Sequence, residues 1–260
     1  MDASISPAAL RQALSSTHPP LVIDVRRRDR FLESPVMVKG ALRRDPEAIE
    51  ASKDALPRAA QVVVYCIHGH EVSQTAARVL GASYLEGGIE GWKAAGGALD
   101  AKPAGGATRW ITRERPKIDR IACPWLVRRF IDASAEFLYV PASSVTAAAV
   151  EHDAIPYDVP GVAFSHEGER CSFDAFLRHY RLEQDPALRQ LAVIVRGADT
   201  ARLDLAPEAA GLAAISLGLS HLFADDHAML ESGMTIYDAL YAWSKGGEGE
   251  VHTWNPAAYR

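Results

Sequence analysis

Val62-Val63-Val64-Tyr65-Cys66-Ile67-His68-Gly69-His70-Glu71-Val72-Ser73 is the stretch on which the fold of the first half turns. Val62 to Tyr65 form an unbroken apolar run, the pattern of a strand buried on both faces of a parallel sheet. The run stops at a cysteine, crosses a short loop containing Gly69, and gives way to a helical pattern from Val72 to Leu80. In open α/β sheets, nucleophiles and ligands gather at the carboxyl ends of strands, where the following helix points its unpaired N–H groups back at the loop. Those groups stabilise a thiolate, so the pattern predicts a depressed thiol pKa at Cys66. Leu21 to Val25 is a second buried-strand run and Pro7 to Leu14 a helix, so strands alternate with helices and the first half reads as α/β with a parallel sheet.

Working outward, Ala98 to Thr108 is small, Gly-containing and carries Pro103, as a linker does. It divides the 260 residues into units of about 1–99 and 109–260. The second unit reads as helix-rich α+β. Its expected helices are one starting at Cys123-Pro124, then Ser172 to Tyr180, Pro207 to Phe223 and Ala228 to Trp243. Its expected strands are Phe137 to Val140 and Leu191 to Val195. With 48% apolar and 23% charged residues, disordered and low-complexity classes are excluded. The absence of a long uninterrupted apolar run predicts no membrane helix. MDASISPAAL lacks a basic start, so no secretory signal is expected. Three cysteines form no disulfide framework and suit a reducing cytoplasm, the expected location. A net charge of −5 makes nucleic acid an unexpected partner.

The first half, about residues 5–99, resembles the rhodanese family of sulfurtransferases. The resemblance rests on Asp24-Val25-Arg26 at the end of a core strand, Lys39-Gly40-Ala41, Cys66 opening the loop, and Leu85-Glu86-Gly87-Gly88-Ile89-Glu90-Gly91-Trp92 closing the domain. It implies that Cys66 accepts a sulfane sulfur as a persulfide and passes it to a thiol or other nucleophile. Ile67, His68, Gly69, His70, Glu71 and Val72 would form the substrate-binding loop. Its implied partners are a small-molecule sulfur donor and a thiol acceptor, and it calls for no cofactor. The loop holds no arginine to close on a phosphate, which disfavours phosphatase chemistry. Glu71 beside a bound anion would repel it, which sets His68 and His70 as the donors to an anionic sulfur source. Arg26 reads more readily as a fold tether paired with an acid than as a substrate contact.

Two segments of the second half carry further candidates. Arg115, Lys117 and Arg120 precede a helix, and arginine forks with helix N–H groups bind oxyanions. The alternative is a solvated charged face paired with nearby acids. His166-Glu167-Gly168-Glu169-Arg170-Cys171-Ser172-Phe173-Asp174 concentrates metal-ligand types. His221 and Asp225 share a helix face, with Asp226 next to them. A divalent metal held by His166, Glu167, His221 and Asp225 or Asp226 is therefore the expected cofactor. The competing arrangement is local, with Glu167 on Arg170 and His166 on a backbone carbonyl. Residues 109–243 resemble the C-terminal domain of the chromate-resistance regulator family. The resemblance is carried by Arg115-Pro-Lys-Ile-Asp-Arg-Ile-Ala-Cys-Pro-Trp-Leu126, the HEG segment just quoted, Arg196-Gly-Ala-Asp199 and Tyr237-Asp-Ala-Leu240. It implies a link to chromate. The expected whole is a sulfurtransferase fused to an oxyanion- or metal-binding domain. The alternative is an oxyanion or metal sensor in which the first half is accessory.

Overall fold

The computed structural model describes residues 3–102 and 107–249. The first half runs β1 (Ser4–Ile5), α1 (Pro7–Leu14), β2 (Leu21–Asp24), α2 (Arg28–Glu33), β3 (Val36–Val38), β4 (Leu42–Arg43), α3 (Ile49–Ser52), β5 (Val62–Tyr65), α4 (Glu71–Leu80), β6 (Ser83–Leu85), α5 (Gly88–Ala94) and β7 (Leu99–Ala101). Five strands form one sheet in the order β1-β6-β5-β2-β4, and every pairing is parallel. Side chains alternate across it. Val22, Val63 and Tyr65 meet Leu10, Ile89 and Trp92 from α1 and α5 on one face. Ile23 and Val64 belong to a second cluster with Ile49, Ala76 and Ala77 from α3 and α4. The central strands are thus covered on both sides, as their continuous apolar runs require.

The expected linker needs correction. Its Leu99–Ala101 segment is strand β7, paired antiparallel with β3, so the first half closes on a strand. Residues 103–106 of that linker, and residues 250–260 of the expected second unit, lie outside the described residues.

The second half runs β8 (Arg109–Arg113), α6 (Asp119–Leu126), β9 (Glu136–Val140), α7 (Val145–Glu151), β10 (Ile155–Pro156), α8 (Ser172–His179), α9 (Pro186–Asp199), α10 (Ala209–Leu222) and α11 (Asp226–Ser244). Its small parallel sheet, in the order β10-β8-β9, lies among helices. Two expectations fail here. The helix expected to start at Cys123-Pro124 starts instead at Asp119, and Pro124 sits inside it. Proline offers no N–H to the carbonyl four residues back. That carbonyl, of Arg120, accepts from the Tyr157 hydroxyl at 3.3 Å instead. The helix then loosens into a π-turn over Val127–Ile131. Leu191 to Val195, expected as a strand, is the middle of α9. Asp185 caps that helix by accepting from the Ala187 and Leu188 N–H groups, and Pro186 occupies its first turn. An apolar run buried in a helical core looks the same in sequence as a buried strand.

The halves share one apolar cluster, which runs from Leu21, Ile23 and Val64 to Trp110, Trp125, Phe176 and Leu188. Polar ties cross the same boundary. The Arg44 guanidinium donates to Phe130 O at 2.9 Å, and Arg181 donates to Lys39 O at 2.7 Å. His179 Nε2 lies 2.8 Å from Asp100 Oδ2, and the Arg58 N–H donates to Asp185 Oδ2 at 2.9 Å. Among the described residues no helix is long and apolar enough to cross a membrane.

Candidate functional site

Cys66 follows the last residue of β5, between the sheet and the amino end of α4, with 8% of its surface exposed. The loop around it is clamped from behind by the turn into α5. The Ile89 and Glu90 N–H groups donate to the carbonyls of Cys66 and Ile67 at 2.9 and 3.1 Å. Gly69 has φ +74°, and a Cβ there would stand 2.5 Å from Leu85 O. Only glycine tolerates both that backbone and that approach. Gly88, at φ +56°, meets the same restriction against Cys66 O. The glycines of the Leu85–Trp92 segment thus hold the shape of the loop rather than touch a substrate.

The Cys66 Sγ is 3.2 Å from Ser73 Oγ, whose hydroxyl donates to the His70 carbonyl at 3.0 Å and can turn its one hydrogen to the sulfur instead, since either atom of that pair can donate. Burial pushes the thiol pKa up. The Ser73 hydroxyl and the N–H groups of Ser73, His70 and His68 outweigh it, and the net displacement is downward. Cys123 and Cys171 are displaced the opposite way, well upward, by burial first and then by neighbouring acids such as Asp119. His68, His70 and Glu71 are exposed, with the two imidazole rings 5.9 Å apart. Ile67 and Val72 are half-buried. Glu71 therefore faces water rather than a closed anion pocket. Arg26 is a tether. It is 1% exposed, pairs with buried Asp24 at 2.6 Å and donates to Val36 O, while the Tyr65 hydroxyl donates to the same carboxylate.

The second-half candidates are rearranged. The Arg115 guanidinium donates to the carbonyls of Phe223, Ala224 and Ser220, and the Arg115 backbone N–H donates to Asp226 Oδ2 at 3.0 Å. Arg120 pairs with Asp158 at 3.3 Å and donates to Glu114 O. These two arginines are held by the protein, so the expected oxyanion site at Arg115, Lys117 and Arg120 is not built. Only half-buried Lys117 has no side-chain partner among the described residues. Of the two readings of this segment the fold uses pairing with acids, Asp226 for Arg115 and Asp158 for Arg120, with backbone carbonyls added.

The expected metal ligand set is corrected in the same way. Glu167 pairs with Arg178. Asp225 caps α11 through Ala228 N at 2.7 Å, and Asp226 serves Arg115. Among the described residues, no group of three metal-ligating side chains within 4.8 Å includes Glu167, His221, Asp225 or Asp226. His166 instead stands among three other carboxylates. Its Nε2 is 3.4 Å from Asp119 Oδ2, 3.3 Å from Asp158 Oδ1 and 3.2 Å from Asp199 Oδ2. Asp119 and Asp158 are buried, and the Cys171 sulfur adjoins Asp119 and Asp199. The hydrogen bond to Asp119 lifts His166 to about 9, against its partial burial and with the Asp119, Asp199 and Asp158 charges helping. Burial, then Asp119, pushes Asp199 up to about 8. Asp158 is also raised, by burial and Asp119, although Arg113 and Ser172 pull it back. The sequence did offer one signal for these residues: Asp119 and Asp199 both lie in segments that carry the resemblance of the second half.

The outer side of His166 borders a cleft of about 540 Å³ between the halves, lined by Lys39, Ser165, Glu167, Arg178, His179 and Arg181 among others. The cations outnumber the acid there.

Comparison with known proteins places both halves. The family described as ChrB, C-terminal domain, matches residues 110–244, and the family described as Rhodanese-like domain matches residues 6–95. Protein ChrB of Cupriavidus metallidurans is 34% identical over 133 residues, which is 51% of this chain and 40% of that protein. Among solved structures, a rhodanese-related protein from Thermoplasma volcanium is 22% identical with a TM-score of 0.34, covering 38% of this chain and 99% of its own. A thiosulfate sulfurtransferase from Pseudomonas aeruginosa is 21% identical with a TM-score of 0.33, covering 39% of this chain and 20% of its own.

Proposed function

In a chain that belongs to the ChrB C-terminal domain family and carries a rhodanese-like domain ahead of it, we propose that Cys66 is a sulfur-carrying nucleophile. The observation that carries this reading is the placement of the thiol. Cys66 follows β5 at the amino end of α4, with its Sγ 3.2 Å from Ser73 Oγ, where that hydroxyl and the N–H groups of Ser73, His70 and His68 favour its ionised form. With thiosulfate as donor, the Cys66 thiolate attacks the sulfane sulfur. A Cys66–sulfur bond forms, the sulfur–sulfur bond of thiosulfate breaks, and sulfite leaves with the electron pair. The terminal sulfur then carries the negative charge that the thiolate carried, so the same N–H groups stabilise it. An acceptor thiolate attacks that terminal sulfur and takes it as a new persulfide, and Cys66 returns as thiolate. No cofactor enters either step.

Cys66→Ser abolishes sulfur transfer, while Cys123→Ser and Cys171→Ser keep measurable activity, because both of those thiols are fully buried and held protonated. Transfer rates for the three variants, with folding followed by circular dichroism, and the intact mass of the wild type after incubation with thiosulfate, check this. Full activity in the Cys66 variant ends the reading.

The cationic cleft between the halves favours a second reading, in which the protein binds an oxyanion related to chromate and the first half is accessory. A wild-type chain that gains no sulfur from thiosulfate or from a persulfide donor decides for it.

A further inference from the structure

The contacts of His166 are unusual in number. An imidazole Nε2 carries at most one hydrogen and satisfies one acceptor along one direction. Here three carboxylate oxygens from three separate segments converge on that one nitrogen at 3.2 to 3.4 Å. Hydrogen bonding accounts for one of the three. The spacing has another meaning. Atoms bound about 2.0–2.2 Å from a common ion lie about 3.0 Å apart along an octahedral edge and about 3.4 Å apart along a tetrahedral edge. The nitrogen and its oxygens are spaced like neighbouring ligands of one ion.

The charge balance agrees. Asp158 has cations of its own, Arg113 at 2.6 Å and Arg120 at 3.3 Å. Among the described residues Asp119 and Asp199 have none besides the shared His166, yet Asp119 is 1% exposed. Two adjacent, poorly solvated carboxylates sharing one imidazole are short of positive charge. A divalent ion supplies it. The backbone reinforces the placement, since Ser172 N donates to Asp119 Oδ2 and Ser172 Oγ donates to Asp158 Oδ1, aiming both carboxylates at the same point. His166 has 42% of its side chain exposed on the cleft, which gives an ion a route inward.

We propose that Asp119, Asp158 and His166, with Asp199 beside them, form a binding site for one divalent first-row transition cation. The mixture of one imidazole nitrogen with carboxylate oxygens selects a borderline ion such as Mn²⁺ or Zn²⁺ over Ca²⁺. The site does not depend on the chemistry at Cys66, and no residue of the sulfur-transfer loop belongs to it.

The test uses the full chain, stripped with chelator and titrated with Mn²⁺ and with Zn²⁺ in a calorimeter, with the Mn²⁺ electron paramagnetic resonance signal as a second readout. One ion binds per chain. His166→Gln and Asp199→Asn each weaken binding at least tenfold while the circular dichroism spectrum stays native, and His221→Ala binds as the wild type does. Asp119→Asn is made as well. If its burial makes it misfold, the partly exposed His166 and Asp199 variants decide alone. A folded wild-type chain that takes up neither ion stoichiometrically overturns the proposal. So does unchanged binding in both the His166 and Asp199 variants, or loss of binding in His221→Ala.

Discussion

Ser73 governs the reactivity of Cys66 more directly than any other side chain, since its hydroxyl is the strongest of the groups drawing the thiol pKa down against burial. A lowered pKa means a larger thiolate fraction at neutral pH, so alkylation of Cys66 by iodoacetamide reaches half its maximal rate at a lower pH than that of a free cysteine peptide measured alongside. Ser73→Ala moves that midpoint upward and slows alkylation at pH 7 about fivefold, the equivalent of one hydrogen bond of about 1 kcal/mol. Rates measured across pH by mass spectrometry of the Cys66 peptide check both statements, and an unmoved midpoint removes Ser73 from the account. The sequence made Cys66 legible because strand, cysteine, glycine and helix lie within a dozen consecutive residues. It did not disclose Ser73's part, which depends on the turn of α4 that brings a residue seven positions on back to the sulfur. His166 was legible as a ligand type, but its partners were not. Helical spacing joined His221 to Asp225, whereas the fold brings in Asp119 and Asp199 from helix ends far along the chain and Asp158 from a nearby loop.

At the scale of elements, α4 presents its amino end to the loop with Glu71 in its first turn. A carboxylate there stabilises the helix by about 0.3–1 kcal/mol but repels an incoming anion. Because Glu71 is exposed, solvent weakens the repulsion to the range of surface pairs, about 0.2–1 kcal/mol. Glu71→Arg therefore lowers the Michaelis constant for thiosulfate about two- to fivefold, with the turnover number unchanged. A constant that stays put or rises shows that the donor approaches from another side. The helix that local punctuation marks best is α1, with Pro7 in its first turn and Ser6 capping it, whereas Asp225, expected to share a helix face with His221, lies beyond the end of α10 at Leu222 and caps α11. The failures lie where a short apolar run such as Leu191 to Val195 is read apart from the helix around it, whose polar face Arg189, Gln190 and Arg196 mark in α9, or where a tertiary contact repairs a break. Tyr157 does this at the Arg120 carbonyl and lets α6 run through Pro124.

Across the whole molecule, Asp185 is the residue where the halves are tied most economically. It is 2% exposed, caps α9, accepts from the Arg58 N–H of the first half and from the Tyr241 hydroxyl of α11. Asp185→Ala removes a cap and leaves buried donors unpaired, at a cost of about 2–4 kcal/mol. Urea unfolding followed by tryptophan fluorescence and by far-ultraviolet circular dichroism shows the midpoint falling. In the wild type the two probes coincide in one transition, because one apolar cluster spans both halves. Two separated transitions would show that the halves unfold independently. The shared boundary also orders events during synthesis. Every group that shapes the thiol loop lies between Cys66 and Glu90, so that loop closes while the ribosome is still making the second half. The Arg58 N–H and the Lys39 carbonyl wait in water for residues 181 to 185, on the order of ten seconds at about 5–20 residues per second. The cluster around His166 waits longer still, until Asp199 has emerged. On the proposed role of Cys66, a nascent chain therefore completes its thiol loop before its acid cluster, and a sulfur donor at the ribosome meets that thiol first.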